Sequence, residues 1–377
     1  MTEPALATQD EVLGKVLGAM DDHGLDVIIP MSPENLAYAS GAAPPSQKTV
    51  RSRLAGAVIP ADGSDTEVFT VRLEAPLVRS QSRLDRVTAY EEFVEHPIDV
   101  LARSLRERGL ADGRIGVETT YLSHADFERL RATLPSGRLE SVDALWEQLR
   151  MLKTPSEVVR IRAIGRAAQR ITEECVRLVD AGATERELGN LITERYHQAG
   201  GDVLTMLVVA SGERSAHLNG PPTDRVLQPR DIVRTDVIGT SGHYYSDVAR
   251  TAVVGGEPAA EQRKVYDLLL DVHRRCLEAV RPGAISSDIY AIYHDAMTAA
   301  GLPPYHFVGH GLGVTLHEEP FINPLQSVVL EEGMVLCIEP LTSIEGAFGM
   351  QVEDEVLVTA DGCELLTEAG DILRIGG

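Results

Sequence analysis

Five potential metal ligands, Asp236, Asp247, His310, Glu339 and Glu353, fall in stretches that otherwise read as buried strand or tight turn. Asp236 is embedded among Ile232, Val233, Val237 and Ile238, and Glu339 ends the apolar run 335–338. Acids are rare in apolar strands unless something offsets the cost of burying their charge. Four carboxylates and one neutral imidazole carry a formal charge of four minus, which two divalent cations neutralise. Whatever the fold, it must bring several strands' acids to one interior place.

At 377 residues the chain exceeds one ordinary core and suits two domains, expected at 1–150 and 151–377. An apolar fraction of 44% and a charged fraction of 24% belong to a soluble globular protein. No stretch approaches the roughly 20 apolar residues that span a bilayer. The first twenty residues lack the basic and apolar blocks of a secretory signal, so a cytoplasmic setting is expected. Cys175, Cys276, Cys337 and Cys363 are widely separated and are expected to be reduced, mostly buried thiols. The net charge, 35 − 57 = −22, argues against nucleic-acid and anionic-membrane partners.

Residues 1–150 alternate short apolar runs with helical patterns, an α/β arrangement. Strands are expected at 25–30, 54–60, 67–71 and 114–118, with helices at 97–109 and 123–134. Chemistry is not expected there, because Glu74, Glu91, Glu92 and His96 have no partner at ligand spacing. Beyond Leu149 the character changes. Thr154-Pro155-Ser156-Glu157 is a strong helix start, and the helix is expected to reach about Val179. Further helices are expected from Glu185, at 259–280 and at 286–300. This helical-hairpin pattern precedes ligand-bearing segments twice, which suggests an internal duplication.

Residues 231–255 read as a hairpin turning at Gly239-Thr240-Ser241-Gly242, with Asp236 and Asp247 on opposite arms. Glycines at 309, 311 and 313 bracket His310 and permit positive φ or close approach to a bound group, and His317 follows. The stretch 349–362 reads as a strand with Glu353 and Glu355 on one face and Asp354 on the other. Two aspartates beside a turn are usually solvated and a lone buried histidine is usually structural. Four such segments in one domain are much less ordinary. Four converging carboxylates could not all stay ionised without cations. The oxygen-rich set suits Mn, Co, Fe or Zn, and a metal pair of this kind activates water for hydrolysis of an amide-like bond.

Tyr244-Tyr245-Ser246-Asp247, Gly309-His310-Gly311-Leu312-Gly313 with His317-Glu318, Ile338-Glu339-Pro340 and Glu353-Asp354 resemble the pita-bread metallopeptidases, in the creatinase/prolidase branch. The spacings of 11, 7 and 14 residues (236 to 247, 310 to 317, 339 to 353) match as well, and Glu34-Asn35-Leu36-Ala37-Tyr38 with Gly41 resembles that branch's N-terminal domain. The resemblance implies an α/β N-terminal domain and an α+β pita-bread domain with a pseudo-twofold antiparallel sheet flanked by helices. It implies two divalent ions per chain: Asp236 on one, His310 and Glu339 on the other, and Asp247 and Glu353 bridging. Glu339 would be the proton shuttle and His317 a contact to substrate and tetrahedral intermediate. His217, Asn219, Tyr244, Arg250 and Gln351 are the other expected substrate contacts. A short peptide, most plainly an Xaa-Pro dipeptide, is the implied substrate and a homodimer the implied assembly.

Three departures from the branch stand out. Asn219 occupies a position where a histidine is usual, with His217 nearby; Gln351 replaces an arginine; and Ala249-Arg250-Thr251 replaces Thr-Arg-Thr. Losing a guanidinium removes a bidentate carboxylate clamp. Asn219 and Gln351 keep open a second reading, a hydrolase or lyase of a small non-peptide metabolite; a third, a catalytically inactive binding module, has the intact ligand set against it.

Overall fold

The computed structural model describes residues 4–376, which divide into two compact units between Arg150 and Met151. In the first, a six-stranded mixed sheet runs in the order Arg86–Tyr90, Glu67–Val71, Gly56–Pro60, Val27–Ile29, Arg114–Val117, Arg138–Ser141. The central strands are short apolar runs buried along their length. Helix Pro97–Glu107 lays Ile98, Leu101 and Leu105 into the same core as Val58 and Phe69. Each fully buried side chain of this size contributes roughly 1.5–3 kcal/mol. The two outermost strands were not expected from sequence. As edge strands they are only partly buried and each opens on an exposed arginine, Arg86 or Arg138, and charge on a sheet edge discourages further pairing.

The second unit repeats one pattern. Helices Pro155–Leu178 and Glu185–Gln198 pack together and cover a four-stranded sheet ordered Leu373–Ile375, Tyr244–Val254, Ile232–Ser241, Val203–Ser211. Helices Ala260–Ala279 and Ser286–Ala299 pack together over a five-stranded sheet ordered Glu318–Ile322, Gly309–Gly311, Val335–Ile338, Asp354–Thr359, Gly362–Leu365. The expected duplication of helical hairpin and sheet is thus present, antiparallel except where Leu373–Ile375 joins Tyr244–Val254 in parallel. The first helix starts where Thr154 and Glu157 cap each other reciprocally, and Thr184 with Glu187 does the same for the second.

Two local expectations need correction. The hairpin turns at Gly242-His243, not at residues 239–242: Ser241 pairs with Tyr244, and both turn residues have positive φ, 57° and 74°. A two-residue turn of this hand matches the twist of the flanking strands. The glycines around His310 also serve another purpose than the expected one. None has positive φ, and a Cβ on Gly309 or Gly311 would run into the carbonyls of Cys337 or Glu319. They allow strands to approach, not a ligand.

Candidate metal centre

Register decides which side chains of the hairpin share a face. Asp236 pairs with Ala249 and Ile238 with Asp247, so the two aspartates are diagonal neighbours on one face. The five-stranded sheet supplies the rest. His310 is opposite Cys337 and Cys337 opposite Glu355, while Glu339 follows strand Val335–Ile338 and Glu353 immediately precedes strand Asp354–Thr359. The backbone N–H of Asp247 donates to Glu355 Oε1 at 2.9 Å, tying the hairpin to the five-stranded sheet, and Thr251 exchanges hydrogen bonds with the backbone of Gln351, which ends strand Phe348–Gln351 of a separate two-stranded sheet. All five expected ligands are buried.

Their polar atoms are poorly satisfied. Asp236 Oδ1, Asp247 Oδ1, His310 Nε2 and Glu353 Oε1 are buried without a hydrogen-bond partner. His310 Nδ1 lies 3.0 Å from the Gly311 carbonyl, which can only accept, so Nδ1 carries the proton. In the neutral imidazole Nε2 is then a bare lone pair, 3.3 Å from Glu339 Oε1 and 3.7 Å from Asp247 Oδ2. Facing acceptors repel unless a cation or proton lies between them. Burial, reinforced by neighbouring carboxylates, pushes the Asp247 and Glu353 carboxyls well up, and burial also raises Asp236. Four unpartnered donors with an oxygen-rich composition fit a divalent ion.

Sequence reasoning missed Arg234, the guanidinium of this site. It is almost wholly buried on the same strand face as Asp236, with Nη1 3.7 Å from Asp236 Oδ2. Nη1 donates to Gln351 Oε1 at 2.7 Å, and the Gln351 amide donates on to Glu339 Oε2 at 3.2 Å and Glu353 Oε2 at 3.4 Å. Arg234 therefore orients Gln351, whose amide can hold both carboxylates only with its nitrogen turned toward them. A guanidinium thus reaches this place from strand Ile232–Ser241, against the Gln351 amide.

The remaining expected contacts divide. The His317 ring lies 3.9 Å from the His310 ring, centroid to centroid, tilted by 31°. Burial and the neighbouring His310 push His317 down to about 4, so it is neutral at physiological pH. A buried Lys153–Glu318 ion pair at 2.9 Å anchors the next residue. His217 and Asn219 are exposed on a loop whose carbonyls at His217 and Leu218 accept from Arg234. Tyr244 and Arg250 were expected to touch substrate, but both sit on the opposite strand face from Asp247. The Tyr244 hydroxyl donates to Glu157 of the helix cap at 3.1 Å. Arg250 donates to Asp354 Oδ1 at 3.0 Å and to the Glu353 carbonyl, clamping the segment that presents Glu353.

Residues 159–360 match the model of metallopeptidase family M24, and residues 13–152 match the creatinase/prolidase N-terminal domain. The chain belongs to metallopeptidase family M24. Among curated relatives, it is similar to an Xaa-Pro dipeptidase of Pyrococcus furiosus, at 29% identity over 95% of this chain and 98% of the relative. Among solved structures, dipeptidase PepE from Mycobacterium ulcerans superposes with a TM-score of 0.83 at 28% identity, covering 98% of both chains. An X-Pro aminopeptidase from Thermotoga maritima reaches 0.86 at 24% identity over 96% of this chain and 99% of that one, a likeness of fold. The second unit is a pita-bread domain, as an M24 metallopeptidase requires.

Proposed function

We propose that this metallopeptidase hydrolyses Xaa-Pro dipeptides at a pair of divalent ions held by Asp236, Asp247, His310, Glu339 and Glu353. The observation that carries the reading is that Asp247, His310 and Glu353, each with a buried atom that lacks a hydrogen-bond partner, belong to one set whose ligand atoms lie within 4.8 Å of one another. A curated relative of this length, an Xaa-Pro dipeptidase, supports the substrate class. Charge supports the number of ions. The four carboxylates and Arg234 sum to minus three, so two dications leave one positive charge for an anionic nucleophile or substrate carboxylate.

When bound, the ions lower the pKa of a water and polarise the scissile carbonyl. The chain's own residues do the rest. Glu339 takes the water proton and passes it to the leaving prolyl nitrogen, held in place by the Gln351 amide. His317, neutral at working pH, donates an N–H to the oxygen on which negative charge develops. We infer also that two copies pair, on the resemblance alone, which size-exclusion chromatography tests.

A second reading has one observation in its favour. All three nitrogens of Arg234 already donate to Ser215, His217, Leu218 and Gln351, so it has no free fork for a substrate's terminal carboxylate. This favours a small amide that lacks that group. Metal analysis followed by a dipeptide panel decides between the readings. Two ions per chain and cleavage of Xaa-Pro dipeptides that stops on Asp236→Asn establish the peptidase. Bound metal with an inert panel moves the assignment to the small-amide hydrolase, and no bound metal after metal-replete purification ends both.

A further inference from the structure

Within the described set Asp247, His310, Cys337 and Glu353, Cys337 is the member to which the proposed reaction gives no role. Asp247, His310, Cys337 and Glu353 form a buried set whose ligand atoms all lie within 4.8 Å of one another. Register explains how the sulfur comes to be there. Cys337 stands directly opposite His310 on one neighbouring strand and Glu355 on the other, so the three side chains leave the sheet on one face. Two residues further along the same chain direction is Glu339. The other donors of the set are not satisfied by protein: Asp247 Oδ1, His310 Nε2 and Glu353 Oε1 are buried and without hydrogen-bond partners.

The remaining thiols occupy different surroundings. Cys276 and Cys363 direct their sulfurs at the carbonyls of Ile289 and Leu277, and Cys175 packs among Ile171, Val176 and Leu188 in the core beneath the four-stranded sheet.

We propose that Cys337 is a sulfur donor to the divalent-ion site, biasing it toward thiophilic ions such as zinc or cobalt and away from manganese and magnesium. A carboxylate and imidazole set alone accommodates both classes, whereas one thiolate selects the softer ions. Each ion bound in this way releases the thiol proton to solvent as the sulfur–metal bond forms. The inference rests on the metal-binding reading above, and its test separates the two.

The full chain is loaded with zinc and its zinc X-ray absorption recorded, which needs no variant. The expected result is a sulfur shell at about 2.3 Å beside the nitrogen and oxygen shell at about 2.0–2.1 Å. Zinc retained with nitrogen and oxygen neighbours alone overturns the inference while leaving the metal reading intact. No zinc retained overturns both. In a second measurement the metal-free chain is titrated with cobalt(II), and a near-ultraviolet sulfur-to-cobalt charge-transfer band is expected to grow to saturation. In Cys337→Ser that band is lost while the weaker visible cobalt absorption remains. A band that survives in Cys337→Ser, or never forms in the unaltered chain, sinks the proposal.

Discussion

Glu185 and Glu353 are both fully buried acids of the same unit, yet their surroundings are opposite. Glu185 accepts from the backbone and hydroxyl of Ser211, the backbone and hydroxyl of Thr223, and the Arg214 guanidinium. Burial raises its carboxyl, but hydrogen bonds from Thr223 and Ser211 more than reverse that, and the net shift is downward. Glu353 has one long contact from Gln351 and an oxygen with no partner, and its carboxyl is pushed well up by burial and by Asp247. Burial alone therefore does not mark a ligand. What distinguishes the metal centre is buried charge without donors, and donors are what a cation replaces.

The largest test of the contrast is on activity. Glu339→Gln keeps the shape but removes the proton acceptor, and turnover of the cleaved dipeptide is expected to fall by about 10³-fold, within the range of general acid–base catalysis. Glu185→Gln, by contrast, is expected to leave turnover within about twofold once its stability loss is allowed for, since it is bonded only to scaffold groups. Equal losses in the two variants, measured by steady-state kinetics, would erase the distinction.

Stability sharpens it further. Glu185→Gln leaves buried donors facing an amide and is expected to cost about 1–3 kcal/mol, with or without metal. Glu353→Gln should do the reverse in chelated protein and stabilise it, because a buried carboxyl whose charged form burial and Asp247 disfavour is removed. The same variant should forfeit the metal-induced gain, about 2.7 kcal/mol when free ion stands at a hundred times its Kd. Thermal unfolding with and without chelator reads both signs.

The pH dependence of the chelated protein follows from the same raised carboxyls. A carboxyl whose folded pKa exceeds its unfolded value binds more protons when folded, so stability is full below the unfolded pKa and is lost as pH rises. Glu355 is pushed up to about 8 by burial, from an ordinary 4.5, and Asp247 and Glu353 shift the same way. Chelated protein should accordingly lose stability progressively from pH 4.5 to about 8. Metal-loaded protein should lose less, because the cation replaces the protons on Asp247 and Glu353 and leaves only that of Glu355. A chelated melting temperature that rises across that window contradicts the account.

Much of this centre was legible in the sequence because acids inside apolar runs are conspicuous. The helix starts at Thr154 and Thr184 were equally plain, since a capping box is a local signal. What stayed hidden is period-two geometry. Arg234 and Cys337 lie two residues before Asp236 and Glu339, the spacing that keeps strand side chains on one face, and that signal was available. Tyr244 and Arg250 lie three residues from Asp247, and the same alternation turns them to the other face. The pairing that sets Cys337 beside His310, or Asp247 against Glu355, depends on long-range register and had no local signature.

The smallest effect concerns the indirect role of Arg234. Arg234→Lys keeps a positive charge near Asp236 but lacks the planar fork that reaches Gln351 and three loop carbonyls together. The Gln351 amide, freed from its anchor, no longer holds Glu339 and Glu353 in one orientation. Turnover is expected to fall about tenfold, or about 1.4 kcal/mol of barrier, with KM nearly unchanged. Metal content should stay at its original level, because all five ligands remain. Adding Gln351→Arg to this variant returns a guanidinium to the same space from the other strand, so part of the lost turnover should come back. If Arg234→Lys instead raises KM and leaves turnover alone, Arg234 acts on the substrate directly and the relay through Gln351 is wrong.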